Sequence, residues 1–268
     1  ILNLLRQSSI IGIISAGMTF VIISGNFDIS VGAVAALAGA ITMKFATGGT
    51  NLFASMLLGV AICAVIGLIN GIVVAKINVP SLIATMAMVT IVRGLLLMLT
   101  GGYPITENIP ILDYIGNGYL FSIPIPVVIF FIVVLASFIV LNKTKFGRYV
   151  YSVGGNQEAS KLNGINVDSH KVKVFIINAV LAGIAGIVLT GRLGTATAIA
   201  GEGYDMDAIA SVVIGGTSVA GGSGSVLKTV IGVLLMSVIN NSFNLLGIDV
   251  YFQYIFKGLI ILAAVGFD

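Results

Sequence analysis

Three aspartates interrupt the long apolar stretches of this sequence. Asp28 precedes one Gly/Ala-rich segment, and Asp205 and Asp207 precede another. A carboxylate in an apolar environment is energetically costly, so its presence indicates a function. Each aspartate can also be interpreted as the N-cap of the helix that follows, because its oxygens accept hydrogen bonds from the free N–H groups of a first turn. The two roles are compatible, and both stay open at this point.

The polar segment 142–171 predicts a short, well-capped helix between two apolar segments. Asn156 is a suitable N-cap, Glu158 falls in the first turn where negative charge is favourable, and Gly164 is the residue type expected just past a helix end. A polar helix with such clear ends favours a docking surface for a partner. The plainer alternative is a solvated connecting loop.

The rest of the chain is too apolar for the surface of a soluble protein. Hydrophobic residues make up 58% of its 268 residues and charged residues only 9%, whereas soluble domains have about 25% charged residues. We therefore expect the chain to face lipid, and its length allows about eight or nine membrane crossings. The net charge of +3 comes without a basic patch interleaved with aromatics, so nucleic acid is excluded as a partner.

These features predict an all-α polytopic membrane protein, a single domain over 1–268 with about nine transmembrane segments. Two of the segments are short, Gly/Ala-rich and preceded by aspartate, so each is either a full span or a broken helix. The predicted helices are 8–25, 30–47, 51–75, 81–100, 122–141, 172–192, 206–221, 224–246 and 251–267.

The distribution of charge predicts the orientation. The segment 142–171 carries a cluster of Lys and Arg, whereas 101–121 carries Glu107 and Asp113 and neither Lys nor Arg. By the positive-inside rule the first segment is cytoplasmic and the second external. Counting spans from these segments also places the C-terminus in the cytoplasm.

The chain contains three internal matches that occur in the same order in both halves, which indicates a duplication. The matched pairs are Phe27–Ser30 with Tyr204–Asp207, Ile69–Asn70 with Ile239–Asn240, and Ile91–Leu97 with Ile255–Ile261.

The duplication divides the chain into repeat one, 1–121, and repeat two, 122–268. Repeat two has a leading helix at 122–141 that repeat one lacks, so we expect about ten helices in the complete protein. Five helices per repeat is an odd number, and the two repeats are therefore expected to be inverted in the membrane, an arrangement common in transporters.

The sequence does not support chemistry by this chain itself. Gly222–Thr229 resembles a phosphate-binding loop, but Leu227 stands where a glycine must precede Lys228. Cys63 and His170 are the only residues of their types, so the sequence has no Cys/His metal spacing. His170 lies in the basic loop, where we expect it to be solvated and not part of a hydrolytic triad. We expect no catalytic residue and no metal ligand.

Several motifs resemble those of a known family. Glu158–Ser160 followed by Gly164 resembles the Glu-Ala-Ala…Gly cytoplasmic motif of ATP-binding-cassette importer permeases, with Ser160 in the second alanine position. A further set is similar to the ribose-type monosaccharide permeases, and the resemblance covers essentially the whole chain. The set comprises Gly17–Thr19, Asp28–Gly32, Asn78–Thr85, Gly154–Ala159, Gly201–Ala210, Gly215–Ser218 and Asn240–Asn241.

This resemblance implies a bacterial cell-membrane complex. Its parts are a second permease chain, as a homodimer or a paired heterodimer, cytoplasmic ATP-binding subunits, and an extracytoplasmic sugar-binding protein. The chain itself would bind no cofactor, since ATP and Mg²⁺ belong to the ATP-binding subunits. The segment 156–163 would be the coupling helix, and its contact residues would be Asn156, Gln157, Glu158, Ala159, Lys161, Leu162 and Gly164.

The resemblance also implies a path for a ribose-like monosaccharide that crosses by alternating access. Amide and hydroxyl side chains suit such a path, because they can hydrogen-bond sugar hydroxyls without holding them tightly. The alternative for each residue is a hydrogen bond between helices, worth about 0.6 kcal/mol. The candidate path and gate residues are Asp28, Ser30, Asn70, Thr85, Asp205, Asp207, Asn240, Asn241 and Asn244.

A second hypothesis is a self-contained secondary transporter with inverted repeats, driven by Na⁺ or H⁺. Such a carrier needs no docking helix for an ATPase, and it usually needs a carboxylate buried in the middle of a span. Here the aspartates lie where helices are predicted to start, and 142–171 contains the predicted docking helix. Both features favour the importer.

Overall fold

The computed structural model describes residues 2–266, and within that range the chain is almost entirely helical. The helices are α1 (Leu2–Ile23), α2 (Val31–Thr47), α3 (Leu52–Ala75), α4 (Ser81–Thr100), α5 (Pro110–Asn117), α6 (Ile125–Lys143), α7 (Lys145–Gly155), α8 (Gln157–Leu162), α9 (Val167–Leu193), α10 (Tyr204–Ile214), α11 (Val226–Leu245) and α12 (Val250–Gly266). Four two-residue strands form two small antiparallel pairs, β1 (Ile105–Thr106) with β4 (Thr195–Ala196) and β2 (Tyr119–Leu120) with β3 (Ile123–Pro124).

The all-α polytopic class is confirmed. Six of the described helices, α1, α3, α4, α6, α9 and α11, are long and apolar enough to cross a membrane, and α2 and most of α12 are shorter apolar helices. Helix α4 has the predicted bounds, 81–100. The order of the elements follows the prediction, while a count of nine spans is not established by length and composition.

The predicted helix 206–221 is wrong at its C-terminal end, because α10 stops at Ile214. Gly216 has a φ of +80°, a left-handed conformation that ends helices and favours glycine. The Thr217 N–H then donates back to the Val212 carbonyl at 3.2 Å, which closes the helix. The glycine-rich segment that follows runs as a loop to α11.

The core is built around α1, α2 and α9, which are mostly buried, while α3, α4 and α6 expose large apolar residues such as Phe53, Met98 and Phe131. Glycines allow the close approach of α2 and α9. A Cβ at Gly186 would overlap the Ala35 carbonyl. Small residues at such crossings are typical of helix packing in lipid, where backbone proximity replaces the hydrophobic drive for association.

Helices α2 and α10 begin close to each other and lead in opposite directions. At their N-terminal ends, a Cβ at Gly32 would overlap the Gly201 carbonyl and lie 3.9 Å from the Tyr204 Cβ. Met43, near the end of α2, borders the same pocket as Thr190 near the end of α9. The loop after α10 instead meets the C-terminal end of α1, where the Gly222 N–H donates to the Ile23 carbonyl at 2.8 Å. That half of α1 lies beside the first half of α9, since a Cβ at Gly17 would be 3.0 Å from the Asn178 Cα.

The polar segment between α6 and α9 folds into two helices rather than one. The predicted helix 156–163 corresponds to α8, and its N-cap is confirmed, since the Asn156 side chain accepts a hydrogen bond from the Ala159 N–H at 2.9 Å. Gly164 follows the helix with a φ of +76°, as expected. Helix α7 was not predicted. It is amphipathic, begins directly after α6, and is capped by the Thr144 hydroxyl, which accepts from the Gly147 N–H at 3.2 Å.

Candidate functional site

Asp28 is the centre of a buried polar cluster. Its side chain is 1% exposed, and its Oδ1 accepts hydrogen bonds from the Ser30 backbone N–H at 2.9 Å and from the Ser30 hydroxyl at 2.6 Å. Its Oδ2 accepts from the Asn178 amide at 3.0 Å. The Asn70 amide donates to the Ser30 hydroxyl at 3.0 Å. The carboxylate thus connects the start of α2 with α9, and Ser30 connects it with α3.

The interpretation of Asp28 as an N-cap is wrong. The cap position of α2 is Ser30, whose side chain makes no capping hydrogen bond, and Asp28 lies two residues earlier. Its carboxylate is used instead to bind Ser30 and a distant helix. This use fits a structural or functional role at membrane depth better than simple helix capping.

The first two turns of α4 hold the backbone on both sides of Asp28. The Ser81 hydroxyl accepts from the Phe27 N–H at 3.1 Å, and the Thr85 hydroxyl accepts from the Ile29 N–H at 3.3 Å. Of the predicted path and gate residues, four therefore lie in or beside this cluster: Asp28, Ser30, Asn70 and Thr85.

Asn178 is a member of the cluster that the sequence analysis did not single out. It is fully buried in α9, and it is the only amide side chain between Val174 and Leu193. A lone amide in an apolar span is a signal that could have identified it, because such a group needs a partner inside the protein.

The second acidic turn is organised differently from the first. The N-cap of α10 is Gly203, at a φ of +79°, so Asp205 and Asp207 are not caps but lie in the first turn of the helix. Asp207 is buried and pairs with Lys257 of α12, with the Nζ atom 2.8 Å from Oδ1 and 3.1 Å from Oδ2. Asp205 remains partly exposed.

We expect the Asp207–Lys257 pair to matter for stability because removing only one partner leaves the other charge buried and unpaired. Breaking a buried ion pair by removing one partner costs about 3 kcal/mol or more, whereas replacing both partners by neutral residues of similar size is often tolerated. Lys257→Met should therefore lower the melting temperature of the purified permease, and adding Asp207→Asn should restore much of it. The control is Lys228→Met, which makes the same change at an exposed lysine of α11. Additive losses in the double variant would contradict a coupled pair.

The matched basic residue of repeat one has other partners. The Arg93 guanidinium of α4 donates to the carbonyls of Ala198 and Ala200, which follow β4. It therefore fixes the loop between β4 and α10 rather than pairing with the first acidic turn. The two halves share residue positions but not the same contacts.

The three asparagines of α11 lie apart from the Asp28 cluster. Asn240 and Asn241 border a small pocket beside Leu4 and Gln7 of α1, and Asn244 accepts a hydrogen bond from the Gln253 amide at 3.1 Å. The structure therefore divides the predicted path residues among the Asp28 cluster, the second acidic turn and α11, and does not bring them together in one cluster.

Helix α8 is exposed, and α7 connects it to the bundle. Leu162, its last residue, is 90% exposed. At the base of the helix the hydroxyls of Ser152 and Ser160 lie 2.8 Å apart, and the Lys171 ammonium donates to the Gln157 side chain at 2.9 Å. Glu158, Ala159 and Lys161 are exposed, and only Ser160 of α8 is buried.

The contacts of α7 lead back towards the core. The Tyr151 hydroxyl donates to the Gly224 carbonyl at 3.0 Å, and partial burial raises the pKa of that phenol, so it stays protonated and able to donate. A Cβ at Gly154 would overlap the Ile23 carbonyl. Helix α7 therefore touches both the end of α1 and the loop before α11. Its contact with α1 is at Ile23, five residues before Asp28.

Among residues 2–266, no group of three or more His, Cys, Asp or Glu side chains is placed to hold a metal ion. The site is thus a set of buried polar contacts together with an exposed helix. Such an arrangement can bind neutral polar groups and transmit movement.

Comparisons with known proteins agree with one another. A family model described as the permease component of branched-chain amino acid transport systems matches residues 1–265. The chain is 44% identical to a ribose import permease of Haemophilus influenzae over 99% of this chain and 83% of that protein. It is 43% identical to a ribose import permease of Bacillus subtilis over 100% of this chain and 84% of that protein.

Less similar relatives are named after other sugars. A xylose transport system permease of Haemophilus influenzae is 34% identical over 99% of this chain and 88% of that protein. No solved structure gives a significant match.

Proposed function

The chain belongs to this family of import permeases and is one of its ribose-type members, and we propose that it carries a ribose-like monosaccharide across the bacterial cell membrane. It is a transport subunit of an ATP-binding-cassette importer, and alternating access would be driven by ATP binding and hydrolysis in partner subunits. The observation that carries the proposal is the near-complete match to ribose import permeases at 43–44% identity. ATP and Mg²⁺ are assigned to the partner subunits, and no cofactor to this chain.

The exposed α8 supports a docking role for the segment 156–163. Exposing a leucine costs about 1.5–3 kcal/mol relative to burial, and Leu162 gains that energy when a partner's groove covers it. The N-cap at Asn156 and the lysine contact at Gln157 keep the short helix formed before the partner arrives. We assign α8 as the coupling helix that fits the ATP-binding subunit.

Movement of α8 would reach the Asp28 cluster through few contacts. Helix α7 meets Ile23 at the end of α1, and the chain from Ile23 to Asp28 is short. A displacement of α7 therefore shifts the segment that holds the carboxylate. In the proposed cycle the cluster at Asp28, Ser30, Asn70 and Thr85 gates the sugar path.

The wider architecture belongs to the same proposal. The opposite directions of α2 and α10 support two inverted repeats, 1–121 and 122–268, of five helices each in a complete protein of about ten spans. The loop 142–171 and the C-terminus would be cytoplasmic. Two permease chains, identical or paired as a heterodimer, would enclose the path, with an extracytoplasmic sugar-binding protein delivering the sugar.

A carrier driven by Na⁺ or H⁺ is not favoured. The named relatives are import permeases and transport-system components for sugars, and the exposed, capped α8 has no use in a self-contained carrier. The buried carboxylate of Asp207 is paired with Lys257, and both oxygens of the buried Asp28 accept hydrogen bonds from Ser30 or Asn178, so neither is a vacant cation ligand.

Docking can be tested by co-purification with the cognate ATP-binding subunit. We expect Leu162→Asp to abolish co-purification and sugar-stimulated ATP hydrolysis, because it places a charge where an apolar contact is needed. Deletion of 156–163 should do the same. Lys145→Ala, on the exposed first turn of α7, is the matched control and should leave both unchanged. If Leu162→Asp retained full ATPase stimulation, the coupling assignment would fail.

A further inference from the structure

A cavity of about 680 Å³ lies where α2, α4, α10 and α12 meet. Its apolar walls come from the start of α2 with the preceding Ile29, from α4 with Met86, and from α10 with Met206. Its polar lining consists of Thr90, Arg93, Glu202, Asp205 and Tyr254. The cavity lies beside the Asp28 cluster, because Ile29 lines it while the Ile29 N–H donates to Thr85. None of these polar residues belongs to the proposed gate at Asp28, Ser30, Asn70 and Thr85, and only Asp205 is among the path residues predicted from the sequence.

The size and mixed lining of the cavity fit a small polar solute. Ligand sites are typically about 300–1,000 Å³ with a few polar groups among apolar walls. An ionic lining of one guanidinium and two carboxylates has an excess of negative charge, which disfavours anions such as phosphorylated sugars. A neutral ring with several hydroxyl groups can donate to the carboxylates, accept from the guanidinium and cover apolar wall without burying a charge of its own.

The charged groups of this cavity are held in place by the fold. Arg93 is fixed by the Ala198 and Ala200 carbonyls and interacts electrostatically with Glu202 and Asp205. Asp205 is fixed by its position in the first turn of α10. Groups that are positioned in advance lose little freedom on binding, so they can distinguish solutes by the placement of their hydroxyls.

We propose that this cavity is a sugar subsite of the permease, in which Asp205 and Thr90 contact hydroxyl groups of a neutral monosaccharide ring. The proposal rests on the proposed function, since it needs a sugar as the transported solute. It assigns to the permease itself a share of the discrimination between sugars, in addition to that of the sugar-binding protein.

The test uses the complete transporter, with its ATP-binding subunits and sugar-binding protein, in proteoliposomes. D-ribose and 2-deoxy-D-ribose, which differ by one hydroxyl, are the probes. Asp205→Asn and Thr90→Val keep the side-chain shape while changing the hydrogen bonding. We expect each to lower ribose uptake per ATP hydrolysed by at least about tenfold and to change the ratio of ribose to deoxyribose uptake by at least about fivefold.

Thr100→Val is the matched control. Thr90 and Thr100 lie on the same helix and both donate to the carbonyl four residues earlier, Met86 and Leu96 respectively, but Thr100 does not line the cavity. It should leave the uptake ratio unchanged. If the unmodified transporter moves neither sugar, the proposed function fails. If it moves ribose while Asp205→Asn and Thr90→Val keep its uptake ratio, or lower both sugars equally, the subsite is overturned.

Discussion

Asp28→Ala is expected to abolish sugar uptake and to destabilise the permease. The substitution removes both acceptor oxygens of the buried cluster, so the Ser30 hydroxyl, the Ser30 N–H and the Asn178 amide lose their partner together. Each buried donor left unsatisfied costs about 1–3 kcal/mol, and the sum is a large fraction of the stability of a typical fold. The measurements are uptake of labelled ribose by cells and thermal unfolding of the purified protein.

Asp28→Asn provides a graded comparison. The Asn178 Oδ1 has no hydrogen-bond partner within the described part of the chain, and a rotation of that amide would offer the oxygen to a new amide at position 28. We therefore expect Asp28→Asn to lose less stability than Asp28→Ala. Glu107→Ala, at an exposed carboxylate, should not change the melting temperature. A normal melting temperature for Asp28→Ala would contradict the assigned contacts.

Most helix positions could be predicted from the sequence because apolar runs in a membrane protein end at recognisable residues. Pro80 and Gly101 bound α4, with Gly101 in the left-handed conformation that favours glycine, and Asn51 caps α3 by accepting from the Phe53 N–H at 2.9 Å. Hydrophobic length and these stops are both local signals. They were sufficient for the order and type of the long helices.

The errors arose where a local pattern has two outcomes. The glycines after Ile214 suit both close packing inside a span and a loop. In the structure Gly216 has a positive φ, the left-handed conformation that ends the helix and begins a loop. Helix α7 lies among Lys and Arg residues, so it resembled a solvated connection. Its apolar face, Val150 and Val153, is buried against the bundle, and the helical spacing of these apolar residues is a local signal that could have identified the helix.

The site was predictable in part for the same reason. Buried ionisable residues are rare, so Asp28, Asp205 and Asp207 could be selected without a structure. Their partners could not, because Asn178 is far from Asp28 in sequence and Lys257 is far from Asp207. The internal matches pointed to equivalent positions, yet Arg93 binds carbonyls where Lys257 binds a carboxylate. A duplicated sequence pattern therefore predicts where a residue lies in the fold more reliably than which residues it contacts.

Gly186→Ala is expected to prevent normal assembly of the helix bundle. Its added Cβ would overlap the Ala35 carbonyl of α2, and it would also lie 2.8 Å from the Ala35 Cα. Both atoms belong to backbone, so no side chain can rotate away and the two helices must separate. Overpacking of a core typically costs about 1–3 kcal/mol when side chains can adjust, and we expect at least the upper end here. The measurements are membrane yield, monodispersity in detergent and melting temperature.

Gly94→Ala is the matched control, since it makes the same substitution inside a helix. A Cβ at Gly94 would meet no described heavy atom within 4 Å, and alanine favours a helix by about 1 kcal/mol over glycine. We therefore expect unchanged or slightly higher stability. Opposite effects of the two variants would show that the α2–α9 contact, rather than glycine content, limits assembly. Equal melting temperatures for both would disprove the close approach of α2 to α9, and with it the positions of the polar side chains that these helices carry.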